Sequence, residues 1–300
     1  MNHAWIIGSY LALCPLICTA QALIVLPEAD DALSVQFNPQ FIQRNGIMAI
    51  VGEQMIKRDN EPMRTQKASY YYRFDPTGRT IYSNTAFGHP GTGTDTASVT
   101  YTYDADGRMV RRLRNDLSGH FAYAMEYDDQ GRPLRETYTR IENLSSDRYT
   151  LIPGPVTEIS DERFRYETES DTVWRKVYLN GLGLPYRERR FAKDAFGYLR
   201  SIEDRYLISN RRSRITFRYD EKGRLAERIE QPDLDRQRTL KRTWRYDVAG
   251  NVTEAALWHD DQHMERTEYL YEEHSMKLKA RLTKDLVTGQ IHVVRYRDQR

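Results

Sequence analysis

The densest group of side chains able to do chemistry is His259-Asp260-Asp261-Gln262-His263, with two imidazoles and two carboxylates in five residues. On a helix the two histidines would share a face and could hold zinc, but between strands the same run is the polar tip of a loop. The flanking residues alternate as strands do, so a loop tip is expected. Gly88 to Thr94 has the glycines of a phosphate-binding loop but no Gly-Lys-Ser/Thr run and no helix after it. Arg211, Arg212 and Arg214, beside Asn210, form the sharpest basic patch and are the candidate binding residues, suited to an anion or a glycan. No nucleophile-elbow context surrounds any serine. The expectation is therefore a protein that is not an enzyme, with no catalytic residue, no metal ligand and no cofactor.

One further set of carboxylates recurs. Asp75, Asp104, Asp128, Asp194, Asp220 and Asp247 are each followed three residues later by Gly78, Gly107, Gly131, Gly197, Gly223 and Gly250. Carboxylates at successive turns could line one sheet edge and bind calcium. Each is also explained by its own turn, because an Asp side chain accepts from nearby backbone amides and a Gly takes the left-handed conformation that closes a short hairpin. These twelve residues are assigned to structural turns.

The elements that carry these turns are strands. In Ile215-Thr-Phe-Arg-Tyr-Asp-Glu-Lys-Gly-Arg-Leu225, Phe217 and Tyr219 point to one face and Thr216 and Arg218 to the other. The unit begins at Tyr70 and returns, degenerate at Tyr166-Glu167 and faded at Tyr271-Glu272. The steps between its acidic positions are 29, 24, 39, 27, 26, 27 and 25 residues. A period near 26 fits two strands and two turns. Two places before each Tyr position stand Tyr72, Tyr101, Met125, Phe164, Phe191, Phe217, Trp244 and Tyr269, so one face of every hairpin is apolar and the other is expected to be wet. The long step, with Ser145-Ser-Asp147 and Pro153-Gly-Pro155, is expected to bulge out as a loop.

Charge adds little, since the net +2 disfavours a nucleic-acid partner. Residues 1 to 26 carry no Asp, Glu, Lys or Arg, and Ala20-Gln-Ala22 provides a signal-peptidase site. Cleavage after Ala22 is expected; an uncleaved membrane anchor is the alternative. Cys14 and Cys18 both lie in this segment, so the mature chain would have no disulfide. Three regions follow: a signal peptide at 1–22, an N-terminal cap and first strand at 23–66, and a repeat domain at 67–300. Within the second, Asn38-Pro to Asn45-Gly46 reads as a short helix and Ile47 to Val51 as a buried strand, together covering the first edge of the sheet.

The Tyr-Asp-x-x-Gly-Arg units resemble the YD repeats of the Rhs family, the β-hairpin repeats of bacterial wall-associated and toxin-delivery proteins and of teneurins. The resemblance spans roughly residues 67 to 297 and implies the fold. In that family long arrays spiral into a hollow shell around a C-terminal toxin, often after a self-cleaving motif. No such motif is found here, and the repeats run to Tyr296-Arg-Asp-Gln-Arg300. Eight units make about sixteen antiparallel strands, a sheet about 77 Å wide at about 4.8 Å per strand, which rolled shut would have a radius of about 12 Å. The expected fold is all-β, one wide, curled or rolled sheet with an N-terminal cap. The expected function is an exported binding or scaffold module at the bacterial envelope: periplasmic, cell-surface or extracellular. Its partner would be a glycan or another envelope protein, with membrane contact only through an uncleaved N-terminal segment. The alternatives are an accessory or immunity-like partner of an Rhs-type toxin system, and a hydrolase built on loops 84–97 and 141–161.

Overall fold

The computed structural model describes residues 22–26, 36–58, 60–87, 95–116, 118–147 and 150–300. Residues 1–21, with both cysteines, and Gly88 to Thr94 lie outside the described residues. The chain opens with β1 (Ile24–Val25), β2 (Gln36–Phe37) and α1 (Pro39–Arg44), and then β3 (Ala49–Lys57), β4 (Arg64–Phe74), β5 (Thr80–Phe87), β6 (Asp95–Tyr103) and β7 (Met109–Asp116). Next come β8 (Gly119–Tyr127), β9 (Pro133–Asn143), β10 (Pro153–Ser170), β11 (Val173–Leu179), β12 (Pro185–Lys193) and β13 (Leu199–Tyr206). The last are β14 (Arg212–Tyr219), β15 (Leu225–Gln231), β16 (Leu240–Tyr246), β17 (Val252–His259), β18 (Gln262–Tyr271), β19 (Leu278–Asp285) and β20 (Ile291–Gln299).

From β3 to β20 every strand pairs antiparallel with its sequence neighbours, and β20 pairs with β3 from Ile291↔Lys57 to Gln299↔Ala49. The result is a closed barrel of eighteen strands, which corrects the expectation of about sixteen in a curled or rolled sheet. The eight hairpin units account for sixteen strands. The other two, β3 and β20, carry no Tyr-Asp and meet only through closure, which removes both exposed edges.

At about 4.8 Å per strand, eighteen strands give a radius of about 14 Å even before tilt, too wide for side chains alone to fill. The N-terminal segment occupies part of the lumen. Leu23 joins a buried cluster with Ile50 of β3, Phe74 of β4, Leu278 of β19 and Val294 of β20. Leu26, three residues on, packs against the cluster holding Ile202 of β13, Phe217 of β14 and Trp244 of β16, with Trp174 and Phe191 beside it. A four-residue segment that reaches strands around most of the circumference lies inside it. This corrects the expected edge cap, because closure leaves no edge for these residues to cover. Helix α1 is the only helix among the described residues; Asn38 caps it by accepting from the Gln40 amide at 3.0 Å, and Phe41 and Ile42 are buried.

The long step is not the expected loop. β9 runs to Asn143 and β10 resumes at Pro153, and β10 is the longest strand of the barrel. Pro153 and Pro155 fit because the β9–β10 register shifts between Pro153 and Val156, where no ladder amide is needed. Nor does Glu167 begin a turn: it lies within β10 opposite Arg175, and the hairpin bends four residues later at Asp171-Thr172.

Candidate functional site

The repeat builds one rim of the barrel. In the turn from β4 to β5, the Asp75 amide donates to the Arg79 carbonyl at 2.9 Å and the Gly78 amide to the Asp75 carbonyl at 2.8 Å. Asp75 Oδ1 accepts from the Thr77 and Arg79 amides, and Oδ2 from Arg79 Nε at 2.7 Å. Asp104, Asp128 and Asp220 repeat the 2.7 Å bond from Arg108, Arg132 and Arg224. Desolvation works against the Asp75 carboxylate, but bonds from Thr77 and Arg79 hold it below the usual carboxylate range.

Neighbouring units are latched together. The hydroxyls of Tyr103, Tyr127, Tyr166, Tyr219, Tyr246 and Tyr271 donate to the carbonyls of Thr80, Met109, Pro133, Leu199, Leu225 and Val252, at 2.6–3.0 Å. Each acceptor directly follows the Gly-Arg position of an earlier unit. The arginine there covers the ring of the incoming tyrosine: Arg79 over Tyr103 at 4.7 Å, Arg132 over Tyr166 at 4.5 Å and Arg224 over Tyr246 at 4.4 Å. Burial pushes Tyr103 and Tyr166 up to about 12. The recurrent Tyr, Asp, Gly and Arg are thus engaged with one another. On the opposite rim Asn180 makes a turn of the same form, accepting from the Leu182 and Leu184 amides at 3.0 Å.

The remaining candidates from sequence stay apart. Arg211 and Arg212 are exposed at the rim opposite the Asp-Gly turns, whereas Arg214 Nε donates to Glu203 at 2.8 Å. His263 stacks on Trp258 with ring centroids 4.2 Å apart, and Asp260 accepts from the Thr239 amide at 2.8 Å. No group of three or more His, Cys, Asp or Glu able to hold a metal occurs among the described residues.

The outer face carries cross-strand ion pairs, among them Arg175 with Glu167 and Glu188, and Arg190 with Glu169. The inner face is more unusual. Toward the Asp-Gly rim it is aromatic; beyond that lies a belt of charge. Arg189 and Arg187 both bond Asp204, at 2.9 and 2.6 Å. Arg242 lies 2.5 Å from Glu230, and Arg228 beside them is 1% exposed, with Nε and Nη1 making no hydrogen bond and Glu230 3.6 Å away. Burial, then Arg189, pulls Lys176 down to about 8; burial, then Glu162, pushes Glu136 up. Glu136 and Glu162 are cross-strand partners, and Tyr186 hydrogen-bonds Glu162.

Along β4 to β7 the lumen widens into a half-open cavity of about 840 Å³. Tyr70, Tyr72 and Tyr101 supply aromatic surface, Ser83 and Thr85 hydroxyls, and Arg112 and Arg114 positive charge. It extends from Gly107 at one rim to Asp116 at the other end of β7. Arg114 lies 3.1 Å from Asp116. Arg112 lies over Tyr123 at 4.4 Å, and no carboxylate among the described residues is within ion-pairing distance of it.

Sequence reasoning passed over this lumen chemistry, although a signal existed. Four places before each Tyr position, on the same inner face, stand Tyr70, Val99, Tyr123, Glu162, Arg189, Ile215, Arg242 and Thr267. The register that is apolar at one step is charged in three units of eight at the next.

A profile of the family described as Teneurin YD-shell matches residues 56–238, more than half of the chain. This chain belongs to the teneurin YD-shell family. No curated protein matches the YD-shell chain. Among solved structures it is similar to a porin-like protein from Bacteroides uniformis (12% identity, TM-score 0.38, 84% of this chain and 96% of that one). It is also similar to a porin-like protein from Bacteroides vulgatus (8%, 0.34, 84% and 98%) and to a LolA superfamily protein from Nitrosomonas europaea (11%, 0.20, 83% of each).

Proposed function

We propose that this YD-shell protein is an exported, non-enzymatic binding module of the bacterial envelope, and that it holds a glycan in its lumen. The observation that carries the reading is the cavity of about 840 Å³, walled by tyrosines, hydroxyls and arginines. Small-molecule sites are concave and combine apolar or aromatic walls with a few placed polar groups. Export is supported by the uncharged run at residues 1–26 and by Ala20-Gln-Ala22. A lipid-facing barrel is disfavoured by the ion pairs of the outer face, since charge at the bilayer midplane costs about 2–4 kcal/mol per residue.

The test is a glycan array probed with the exported protein, together with its cellular fraction and N-terminal sequence. Saturable binding with no sugar released fits a binding module located in the envelope. An intact N-terminus in the cytoplasmic fraction would remove the export half of the reading. One observation favours a hydrolase instead: Glu136 and Glu162 are cross-strand neighbours, and burial, then Glu162, pushes Glu136 up, the direction that suits a general acid. Turnover of a bound sugar, abolished by Glu136→Gln, would establish that activity.

A further inference from the structure

We infer that the cavity along β4 to β7 takes an acidic sugar, a uronic-acid oligosaccharide, with its carboxylate on Arg112. This deepens the glycan reading above and rests on it. Among the described residues, Arg112 is the cation of the cavity with no carboxylate partner: Arg79 is held by Asp75 at 2.7 Å and Arg114 lies 3.1 Å from Asp116. Glu136 senses the charge of Arg112 but does not pair with it. With one face of its guanidinium on the Tyr123 ring, Arg112 keeps the planar N–H edge that receives a carboxylate through two parallel hydrogen bonds.

The walls select the rest of the ligand. Arg112 is the direct cross-strand partner of Tyr101, which faces the cavity with Tyr70 and Tyr72. A pyranose has an apolar C–H face that lies flat on such rings and an edge of hydroxyls for Ser83 and Thr85, whereas an acyl chain would be matched by aliphatic walls. The volume of about 840 Å³ accommodates about two or three sugar rings.

The experiment is calorimetric titration of the full-length protein with trigalacturonate and with neutral maltotriose. Trigalacturonate is expected to bind and maltotriose to bind at least tenfold more weakly. Arg112→Gln should weaken trigalacturonate by about 10- to 100-fold, the worth of a charged hydrogen-bonding group, and Arg112→Lys by less. Circular dichroism and thermal melting check that the variants fold. If Arg112→Gln does not fold, the wild-type affinity for trigalacturonate is measured from about 0.05 to about 0.5 M salt, where an arginine-held acid must weaken. Equal binding of the two sugars, full affinity in Arg112→Gln, or an affinity indifferent to salt overturns the acidic class and leaves the glycan reading in place. If neither sugar binds, both readings fall.

Discussion

Alanine placed at three turn glycines should destabilise the barrel in a fixed order, because their backbones are alike and their surroundings are not. Gly197 has φ +87° and no atom within 4 Å of an added Cβ, so its alanine variant bears only the left-handed conformation, about 1–2 kcal/mol. Gly223 has φ +73°, and its Cβ would lie 2.8 Å from Tyr198 Cζ. That ring can swing away, losing its contact with Tyr219 at 4.9 Å, which adds about 0.5–1.5 kcal/mol. At Gly78, φ +85°, the Cβ would meet the backbone of α1, 2.8 Å from Pro39 C and 3.0 Å from Gln43 N. Backbone in a seated helix has no rotamer to change, so overpacking adds about 1–3 kcal/mol and loosens α1. Urea denaturation followed by tryptophan fluorescence gives the ranking Gly78→Ala above Gly223→Ala above Gly197→Ala. In a Tyr198→Ala background the excess at Gly223 should vanish. If Gly78→Ala costs no more than Gly197→Ala, α1 is not seated on the first turn and the placement of the N-terminal segment in the lumen is wrong.

The latch predicts that Tyr246→Phe, which deletes the 2.6 Å bond to the Leu225 carbonyl but keeps the ring under Arg224, costs about 1–2 kcal/mol in urea. Tyr71→Phe, in the register opposite the lumen, should stay within about 0.5 kcal/mol. Tyr103 and Tyr166 have folded values of about 12 against 10.0 when unperturbed, so their contribution is complete below pH 10 and is lost as pH rises through about 12. Tyrosinate absorbance should therefore rise together with loss of circular dichroism; ionisation near pH 10 with the fold intact would contradict this. His259→Ala should leave both stability and zinc content unchanged by melting and metal analysis, and a drop in either would revive the metal site.

Much of the architecture was legible because each unit writes its own geometry. Asp220, Gly223 and Tyr219 all act within one hairpin or on the previous one, so a local pattern was enough. What escaped depends on distance or on context. The β20–β3 pairing joins Val294 to Gln54, and nothing in either segment names the other. Tyr166 keeps its latch to Pro133, yet its hairpin continues past Glu167, because paired residues from Glu167 to Ser170 extend the β10–β11 ladder. Asn180 performs the turn with a leucine where the motif has tyrosine, which hid it from a search for Tyr-Asp. The lumen escaped for a different reason: nothing local to Arg112, Arg189 or Arg242 marks it as enclosed, and in an open sheet such residues would lie in water.

Closure alters what those charges mean. A buried ion pair loses several kcal/mol of hydration per ion, and replacing such a network by apolar residues of equal volume is often neutral or stabilising by about 1–4 kcal/mol. The aromatic layer at the Asp-Gly rim, with Phe217, Trp244 and Tyr269 in register, shows that this repeat can fill its inner face with apolar groups. One step further down it places Arg189 below Phe191 and Arg242 below Trp244, and the fully enclosed Arg228 on β15 is the cross-strand partner of Arg242. Folding alone gains nothing from that exchange. Where local rules are broken without a compensating gain in stability, function is the usual cause. The charged belt and the cavity are therefore where the proposed binding function falls, whereas the repeated Tyr, Asp, Gly and Arg that dominate the sequence hold the wall together.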